Sequence, residues 1–92
     1  MLTIDEIREK AVPLARKYQV KQMLLFGSYA DGTATEGSDV DFLVEFPNPW
    51  SICELFGLKE ELQDGFGMEI DVVPLPLPRP EKLKIYRTEK II

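Results

Sequence analysis

Apolar residues near the start of the chain recur at the spacing of one helix face, between residues 4 and 18. Thr3 and Glu6 have the spacing of a capping box, in which each side chain accepts a hydrogen bond from the other residue's backbone amide. A first helix is therefore predicted from about residue 4. Pro13 falls inside the pattern, and because it has no amide hydrogen we expect it to kink this helix or split it in two.

Three later apolar segments have the length and the β-branched or aromatic content of strands. They span residues 21–26, 40–46 and 68–73. The first two are joined by residues 28–38, whose Gly, Ser, Thr and Asp content predicts a loop with one helical turn. This connection leaves the relative direction of the first two strands open.

A second long helix is predicted between the second and third strands, from about residue 52 to residue 64. Ser51 and Glu54 repeat the capping-box spacing, and Gly65 is a natural stop. A helical crossover can join two parallel strands. The side chains expected to be buried on this helix are Ile52, Leu55, Phe56, Leu58 and Leu62.

The end of the chain is rich in proline. Pro74, Pro76, Pro78 and Pro80 predict an extended, polyproline-like segment, and a short helix is expected at residues 81–87. The order helix, strand, loop, strand, helix, strand, helix predicts an α/β fold, a small mixed β-sheet with helices packed on it. With 92 residues, we expect one domain over residues 1–92.

Charge and composition exclude several functional classes. The 11 Lys and Arg against 16 Asp and Glu give a net charge of -5, which argues against nucleic acid as the main partner. A nucleotide held with a metal ion, or a basic protein partner, remains compatible with this charge. The chain has no histidine, which excludes His-dependent catalysis and His–metal sites. Cys53 is the single cysteine and no stretch is long and apolar enough to span a membrane, so we expect a cytoplasmic protein.

The residues with the clearest chemical meaning are acidic and lie on predicted strands. Asp39 and Asp41 point to one strand face, about 6–7 Å apart along the chain. Two carboxylates this close repel unless a cation separates them, and Mg²⁺ prefers a few carboxylates together with phosphate oxygens. If the third strand lies beside the second, Asp71 joins the same face. Three such carboxylates can hold two metal ions, one orienting a triphosphate and one activating a hydroxyl.

The pair Gly27-Ser28 ends the first strand, and ten residues separate it from Asp39. Gly27 allows close approach of the backbone to a ligand, and the amides that follow, with the Ser28 hydroxyl, can bind phosphate oxygens. Ser38 is a further candidate nucleotide contact, with a cap between loop and strand as the alternative. Each feature alone also fits a turn or a solvated strand face, but together they indicate phosphoryl or nucleotidyl transfer.

Read jointly, these residues resemble the polymerase-β-like nucleotidyltransferase superfamily, and within it the minimal nucleotidyltransferase (MNT) antitoxins. The family pattern is Gly-Ser, ten residues, Asp-x-Asp and a later acidic strand residue, matched here by residues 27–28, 39–41 and 71. The resemblance implies the corresponding fold, ATP as substrate, Mg²⁺ and attack at the α-phosphate with release of pyrophosphate. It assigns Gly27 and Ser28 to the triphosphate, and the three aspartates to metal. Asp71 would also be the general base.

The resemblance further implies that the partner is a HEPN-type toxin and that AMP is placed on one of its tyrosines. Family members commonly carry Arg where this chain has Asp31, which adds negative charge near the phosphate site. An antitoxin that acts by binding alone, and a stand-alone enzyme acting on a small molecule or RNA, are the alternatives.

Overall fold

The computed structural model describes residues 2–75 and 88–92. Its elements in chain order are α1 (Ile4–Lys17), β1 (Gln22–Phe26), α2 (Ser28–Asp31), β2 (Val40–Glu45), α3 (Ile52–Phe66), β3 (Ile70–Pro74) and β4 (Glu89–Lys90). The predicted α/β class, the three strands and the single helical turn after β1 are confirmed. The predicted polyproline-like segment through Pro76, Pro78 and Pro80, and the helix at 81–87, lie outside the described residues.

The strands form one mixed sheet in the order β3-β2-β1-β4. β2 runs antiparallel to β1 and parallel to β3, to which α3 connects it. The mixed sheet is confirmed, and the direction that the sequence left open is antiparallel. β4 was not predicted. It pairs antiparallel to β1, and the amide of Ile91 donates a 2.9 Å hydrogen bond to the Met23 carbonyl, so the apolar end closes one sheet edge.

The capping box at the start of α1 is confirmed. The Thr3 amide donates to Glu6 Oε1 and the Glu6 amide donates to Thr3 Oγ1, each over 3.1 Å. The expected split at Pro13 is wrong, because α1 continues without a break to Lys17. Proline removes only one backbone hydrogen bond from the helix. The burial of Ile7, Ala11 and Ala15, which are fully enclosed in the core, stabilises the helix on both sides of Pro13.

α1 and α3 pack against each other and cover the same face of the sheet. The core lies between these helices and the sheet. The helices contribute every third or fourth side chain to it, and the strands contribute alternate side chains. Its fully buried members are Ile7, Ala11, Ala15, Met23, Leu25, Val40, Phe42, Val44, Leu58, Leu62 and Ile70. Within the described ranges, no helix is both long and apolar enough to cross a membrane.

Three expectations for α3 are wrong. Ser51 is the N-cap residue, but its side chain accepts no capping hydrogen bond. Gly65 lies inside the helix, which ends at Gly67 with a φ of 67°. Ile52 and Phe56 are 56% and 59% exposed rather than buried. The inward face instead repeats at intervals of three and four residues through Leu55, Leu58, Leu62 and Phe66.

A polar contact joins the two long helices at the end opposite to α2. The Tyr18 hydroxyl donates to Glu61 Oε2 over 2.5 Å, and Lys17 Nζ lies 2.6 Å from Glu61 Oε1. The hydrogen bond to Glu61, followed by burial, raises the pKa of Tyr18 to about 12. A Cβ atom at Gly57 would lie only 2.6 Å from the Tyr18 hydroxyl oxygen and 3.3 Å from two ring carbons. Glycine at position 57 is therefore what lets Tyr18 cross α3.

We predict opposite effects for alanine at the two glycines within α3. Gly65→Ala meets nothing within 4 Å, so the helix propensity of alanine should raise the free energy of unfolding by about 1 kcal/mol. Gly57→Ala should instead lower it by about 1–3 kcal/mol, because the new methyl group overlaps Tyr18. Urea unfolding measures both. Equal stabilisation by the two substitutions would show that Tyr18 does not pack on Gly57.

Candidate active site

Asp41 and Asp71 are neighbours on adjacent parallel strands. The register of β2 and β3 pairs Asp41 with Asp71 directly. The flanking pair Val40 and Ile70 is fully buried on the face covered by the helices. Because side chains alternate along a strand, both carboxylates point to the opposite face. The structure thus places Asp71 on the same side of the sheet as Asp41, as the strand pattern indicated.

Asp39 precedes the first residue of β2 and is exposed. Its charge still acts on Asp41, where it contributes to the raised pKa of that carboxyl. Among residues 2–75 and 88–92, however, no three His, Cys, Asp or Glu side chains come close enough together to hold a metal ion. The arrangement is a pair, Asp41 and Asp71, with Asp39 beside it.

The pKa of Asp41 rises to about 6. Partial burial of the carboxyl is the largest cause, because it disfavours the charged form. A hydrogen bond with Asp71 and the negative charges of Asp71 and then Asp39 add to it. The Asp41 carboxyl therefore keeps its proton up to about pH 6. A hard divalent cation between them would remove the repulsion that keeps this proton bound.

Gly27 lies against this pair because β1 and β2 are antiparallel. Phe26, the last residue of β1, pairs with Asp41, and Gly27 follows with a φ of 76°. A Cβ atom at Gly27 would overlap Asp41 Oδ2 and lie 3.2 Å from Asp41 Cγ. A side chain at this position would displace the carboxylate, and the positive φ independently favours glycine.

Ser28 begins α2 immediately beside Gly27. The Gly27 carbonyl accepts hydrogen bonds from the amides of Ala30 and Asp31, over 3.1 and 3.0 Å. The amides of Ser28 and Tyr29 stand ahead of the first helical hydrogen bond, so the turn itself supplies no acceptor for them. Backbone donors at such a position suit phosphate oxygens, which is the role that the sequence predicts for this turn.

Two other residues singled out by the sequence make local contacts. Asp31 is exposed, and its Oδ1 accepts from the Thr33 amide over 3.1 Å and from the Thr33 hydroxyl over 2.6 Å. Ser38 Oγ accepts from the Thr35 amide over 2.9 Å. The Ser38 contact matches the alternative interpretation as a cap of the loop, and a nucleotide contact by Ser38 stays a prediction.

Sequence reasoning missed a cavity of about 440 Å³ near this end of the sheet. Its wall includes Tyr29, Glu36 and Met68, each within three residues of a predicted site residue. The sequence did hold a signal for this cavity. Its lining residues flank the motifs at residues 27–28, 39–41 and 71, and the neighbours of motifs that come together also come together.

Alanine substitutions at Gly27 and Gly32 should separate the cost of backbone strain from the cost of a steric clash with Asp41. Both glycines have positive φ, but a Cβ atom at Gly32 meets nothing within 4 Å. Gly32→Ala should cost about 1 kcal/mol of stability through strain alone. Gly27→Ala should cost more and should move the Asp41 carboxylate, visible as altered Asp41 carboxyl shifts in NMR spectra. An equal cost with an undisturbed Asp41 would contradict the close contact.

The raised pKa of Asp41 predicts how stability depends on pH in the metal-free protein. Between pH 4 and about 6 the unfolded chain loses the Asp41 proton while the folded chain keeps it. This group therefore lowers the free energy of unfolding as pH rises through that range. Asp41→Asn should remove the decrease and stabilise the protein at pH 7 by about 1 kcal/mol, a figure discounted for solvent screening.

Asp71→Asn supplies the companion measurement. Without the Asp71 charge, the pKa of Asp41 should move back toward its ordinary value, which carboxyl ¹³C titration detects. An Asp41 pKa that does not respond to this substitution would show that the two carboxyls are not coupled.

The geometry has clear parallels among known proteins. A family model described as nucleotidyltransferase domain matches residues 4–92. A relative from Methanocaldococcus jannaschii, provisionally named a protein adenylyltransferase, is 43% identical over 72 residues, 78% of this chain and 77% of the relative. Protein adenylyltransferase MntA of Thermococcus cleftensis is 36% identical over 77 residues, 79% of this chain and 78% of that protein.

Solved structures share the fold. A toxin–antitoxin complex with AMP-PNP gives a TM-score of 0.78 at 21% identity, covering 92% of this chain and 72% of the other. A complex of tri-AMPylated Shewanella oneidensis HEPN toxin with MNT antitoxin gives 0.71 at 19% identity, covering 94% and 69%. A structure assigned as a minimal nucleotidyltransferase gives 0.69 at 31% identity, covering 82% and 79%. The chain belongs to the nucleotidyltransferase domain family, as an enzyme of the minimal nucleotidyltransferase type.

Proposed function

We propose that this chain transfers AMP from ATP to a tyrosine hydroxyl of a HEPN-type toxin and thereby acts as its antitoxin. The observation that carries the proposal is the parallel pairing of Asp41 with Asp71 beside the close approach of Gly27. This arrangement sets acidic oxygens beside the free amides at the start of α2, which would bind phosphate. Nucleotidyl transfer needs both, because the triphosphate must be gripped at its phosphates while its α-phosphorus stays open to attack.

The donor set fits magnesium. Asp41 and Asp71 offer hard carboxylate oxygens on one face, and the raised pKa of Asp41 reports negative charge that a cation would neutralise. Asp41 and Asp71 would hold the metal, and Asp39 is the third ligand that the sequence pattern assigns. When bound, Mg²⁺ would supply charge neutralisation at the phosphates. Two ions, as the sequence predicts, would require all three aspartates.

The chain's own groups account for the remaining roles. The Ser28 and Tyr29 amides, with the Ser28 hydroxyl, would hold the phosphates against Gly27. Asp71, which is exposed, would take the proton of the tyrosine hydroxyl as its oxygen attacks the α-phosphorus. The new bond joins the tyrosine oxygen to AMP, and the bond to the departing pyrophosphate breaks.

The identity of the acceptor rests on relatives. The Thermococcus relative is named a protein adenylyltransferase, and one solved complex holds an AMPylated HEPN toxin with its MNT antitoxin. With a net charge of -5, this chain also suits a basic protein better than RNA. The cytoplasm is the location that fits an ATP-dependent enzyme with this partner.

Inhibition by binding alone is the second candidate, and the negative charge that Asp31 adds where relatives commonly carry Arg would favour it, because it could weaken ATP binding. Asp31 bonds to Thr33 at an exposed turn, so its carboxylate has a structural use that does not require loss of ATP binding. The coupled pair Asp41 and Asp71 favours catalysis, because a surface that only binds has no need of carboxyls that repel each other.

Adenylylation of the protein encoded by the neighbouring gene tests the proposal. With labelled ATP and Mg²⁺, mass spectrometry should find AMP on a tyrosine of that protein, and EDTA should prevent it. The double substitution Asp39→Asn/Asp41→Asn should lower the rate by about 10³-fold, since it removes metal-ion stabilisation worth several kcal/mol. Asp31→Asn is the matched control and should keep the rate within a few-fold.

Two results would contradict the proposal. If the Asp39→Asn/Asp41→Asn variant still neutralised the toxin fully while transfer was abolished, binding alone would be the mechanism. If AMP appeared on RNA or a small molecule but not on the protein, the acceptor class would be wrong.

A further inference from the structure

One side of α3 carries two large apolar side chains that the core leaves in water. Ile52 is 56% exposed and Phe56 is 59% exposed, whereas the other large hydrophobic side chains in the described ranges are buried or half-buried. Lys59 and Gln63 continue the same line at helical spacing. A cavity of about 220 Å³ is lined by Phe56, Lys59, Glu60 and Gln63. We call the line Ile52, Phe56, Lys59 and Gln63 the outer stripe of α3.

The outer stripe faces away from α1. Glu61 accepts a hydrogen bond from Tyr18 of α1 and follows Ile52 by nine residues, which is about two and a half helical turns. Ile52 and Glu61 therefore lie on opposite sides of α3. α1 lies toward β4, where Arg8 donates a 2.9 Å hydrogen bond to the Lys90 carbonyl, whereas α3 packs against β3. The outer stripe consequently lies on the flank of the molecule that ends in β3.

The same flank borders the candidate active site. In the described part of the chain β3 is an edge strand, and Asp71 lies on it with its side chain exposed. The turn at Ser28, which would bind phosphate, follows β1 on the other side of β2 and Asp41. The order across this end of the sheet is therefore the Ser28 turn, Asp41 and Asp71.

This order determines the side from which an acceptor can approach. In an in-line displacement, the attacking oxygen and the leaving group lie on opposite sides of the phosphorus. With pyrophosphate leaving at the Ser28 turn, the attacking hydroxyl has to come from the side of Asp71. No strand lies beyond β3 within residues 2–75 and 88–92, so the acceptor would approach over the β3 edge. An acceptor as large as a protein would then also face the outer stripe.

We propose that the acceptor protein docks on the flank formed by β3 and the outer stripe, where an apolar patch of that protein covers Ile52 and Phe56 while its hydroxyl reaches Asp71. The inference rests on the proposed function, because it takes the acceptor to be a protein. Lys59 and Glu60 carry opposite charges beside Phe56, so this part of the surface lacks the excess of negative charge found in the whole chain. An apolar contact suits it better than a charged one.

Binding of the purified protein encoded by the neighbouring gene tests the docking surface. Measured by calorimetry without ATP, Phe56→Ser and Ile52→Ser should each weaken binding about tenfold. Both side chains are exposed, so the variants should fold, and urea unfolding checks that they do. Glu9→Gln, on the exposed side of α1, is the control and should bind as the unaltered chain does. Equal affinity of all these chains would show that the stripe is not the docking surface.

Kinetics separate docking from chemistry. With ATP and Mg²⁺, Phe56→Ser should raise the KM for the acceptor protein about tenfold and leave kcat and the KM for ATP unchanged. N-acetyltyrosinamide has no second surface to place on the stripe, so AMP transfer to it should be equal for the variant and the unaltered chain. A loss of kcat, or an equal loss with the small acceptor, would indicate a structural effect and would overturn the proposal.

Cys53 locates the partner without any change in the stripe. It is the single cysteine of the chain, it follows Ile52 directly, and it is exposed. Benzophenone attached to Cys53 should cross-link to the acceptor protein on irradiation. The same reagent on a Cys53→Ser/Glu9→Cys chain should not, and the reverse result would place the partner on α1 instead.

The outcomes separate this inference from the proposed function. Binding that depends on Phe56, without any transfer, would support the docking surface and contradict tyrosine adenylylation. Full transfer efficiency in Phe56→Ser would support the proposed function and contradict the inference. If the chain alone formed dimers that Phe56→Ser converted to monomers, with acceptor binding unchanged, the stripe would be a contact between copies and the inference would be wrong. Absence of both binding and transfer would overturn both.

Discussion

The candidate site depends on one structural constraint, the register between β2 and β3. A shift of one residue would turn Asp71 toward the helices and bring a buried hydrophobic side chain to the open face. Val40 and Ile70, which are fully buried next to Asp41 and Asp71, oppose that shift. Each buried side chain of this size is worth about 1.5–3 kcal/mol, more than two partly solvated carboxylates lose by repelling each other. The hydrophobic core thus holds together two charges that would otherwise move apart.

Much of this arrangement could be predicted because it follows from alternation along a strand. The apolar side chains of β2 and β3 define the buried face of these strands. Once the two strands are taken as neighbours, Asp41 and Asp71 must lie on the opposite face. The helical crossover favoured that parallel pairing. The contact of Gly27 with Asp41 was foreseen only as close backbone approach to a ligand. Its actual partner depends on β1 being antiparallel to β2, which a loop of mixed composition does not reveal.

The errors have physical causes that the pattern alone does not contain. Ile52 and Phe56 share a helix with five other apolar residues, and the helix can turn only one stripe toward the sheet. Which stripe is buried depends on the α1 contact and on Gly57, where Tyr18 crosses the helix. β4 has only two residues and pairs across most of the chain's length, so no local signal predicts it. Ser51 has the right type and spacing for a cap, yet the side chain makes no such bond.

The negative charge of the candidate active site determines which partners the proposed reaction can use. The carboxylates of Asp39, Asp41 and Asp71 repel a free triphosphate. ATP can therefore be held there only together with a cation that neutralises the carboxylates and the phosphates. The same negative charge would attract a basic protein surface. The same charge distribution would then exclude two kinds of ligand. It would exclude nucleotide that carries no metal ion, and it would exclude acidic acceptors. A nucleotidyltransferase domain of this size, with little surface to spare, would gain selectivity from charge in this way.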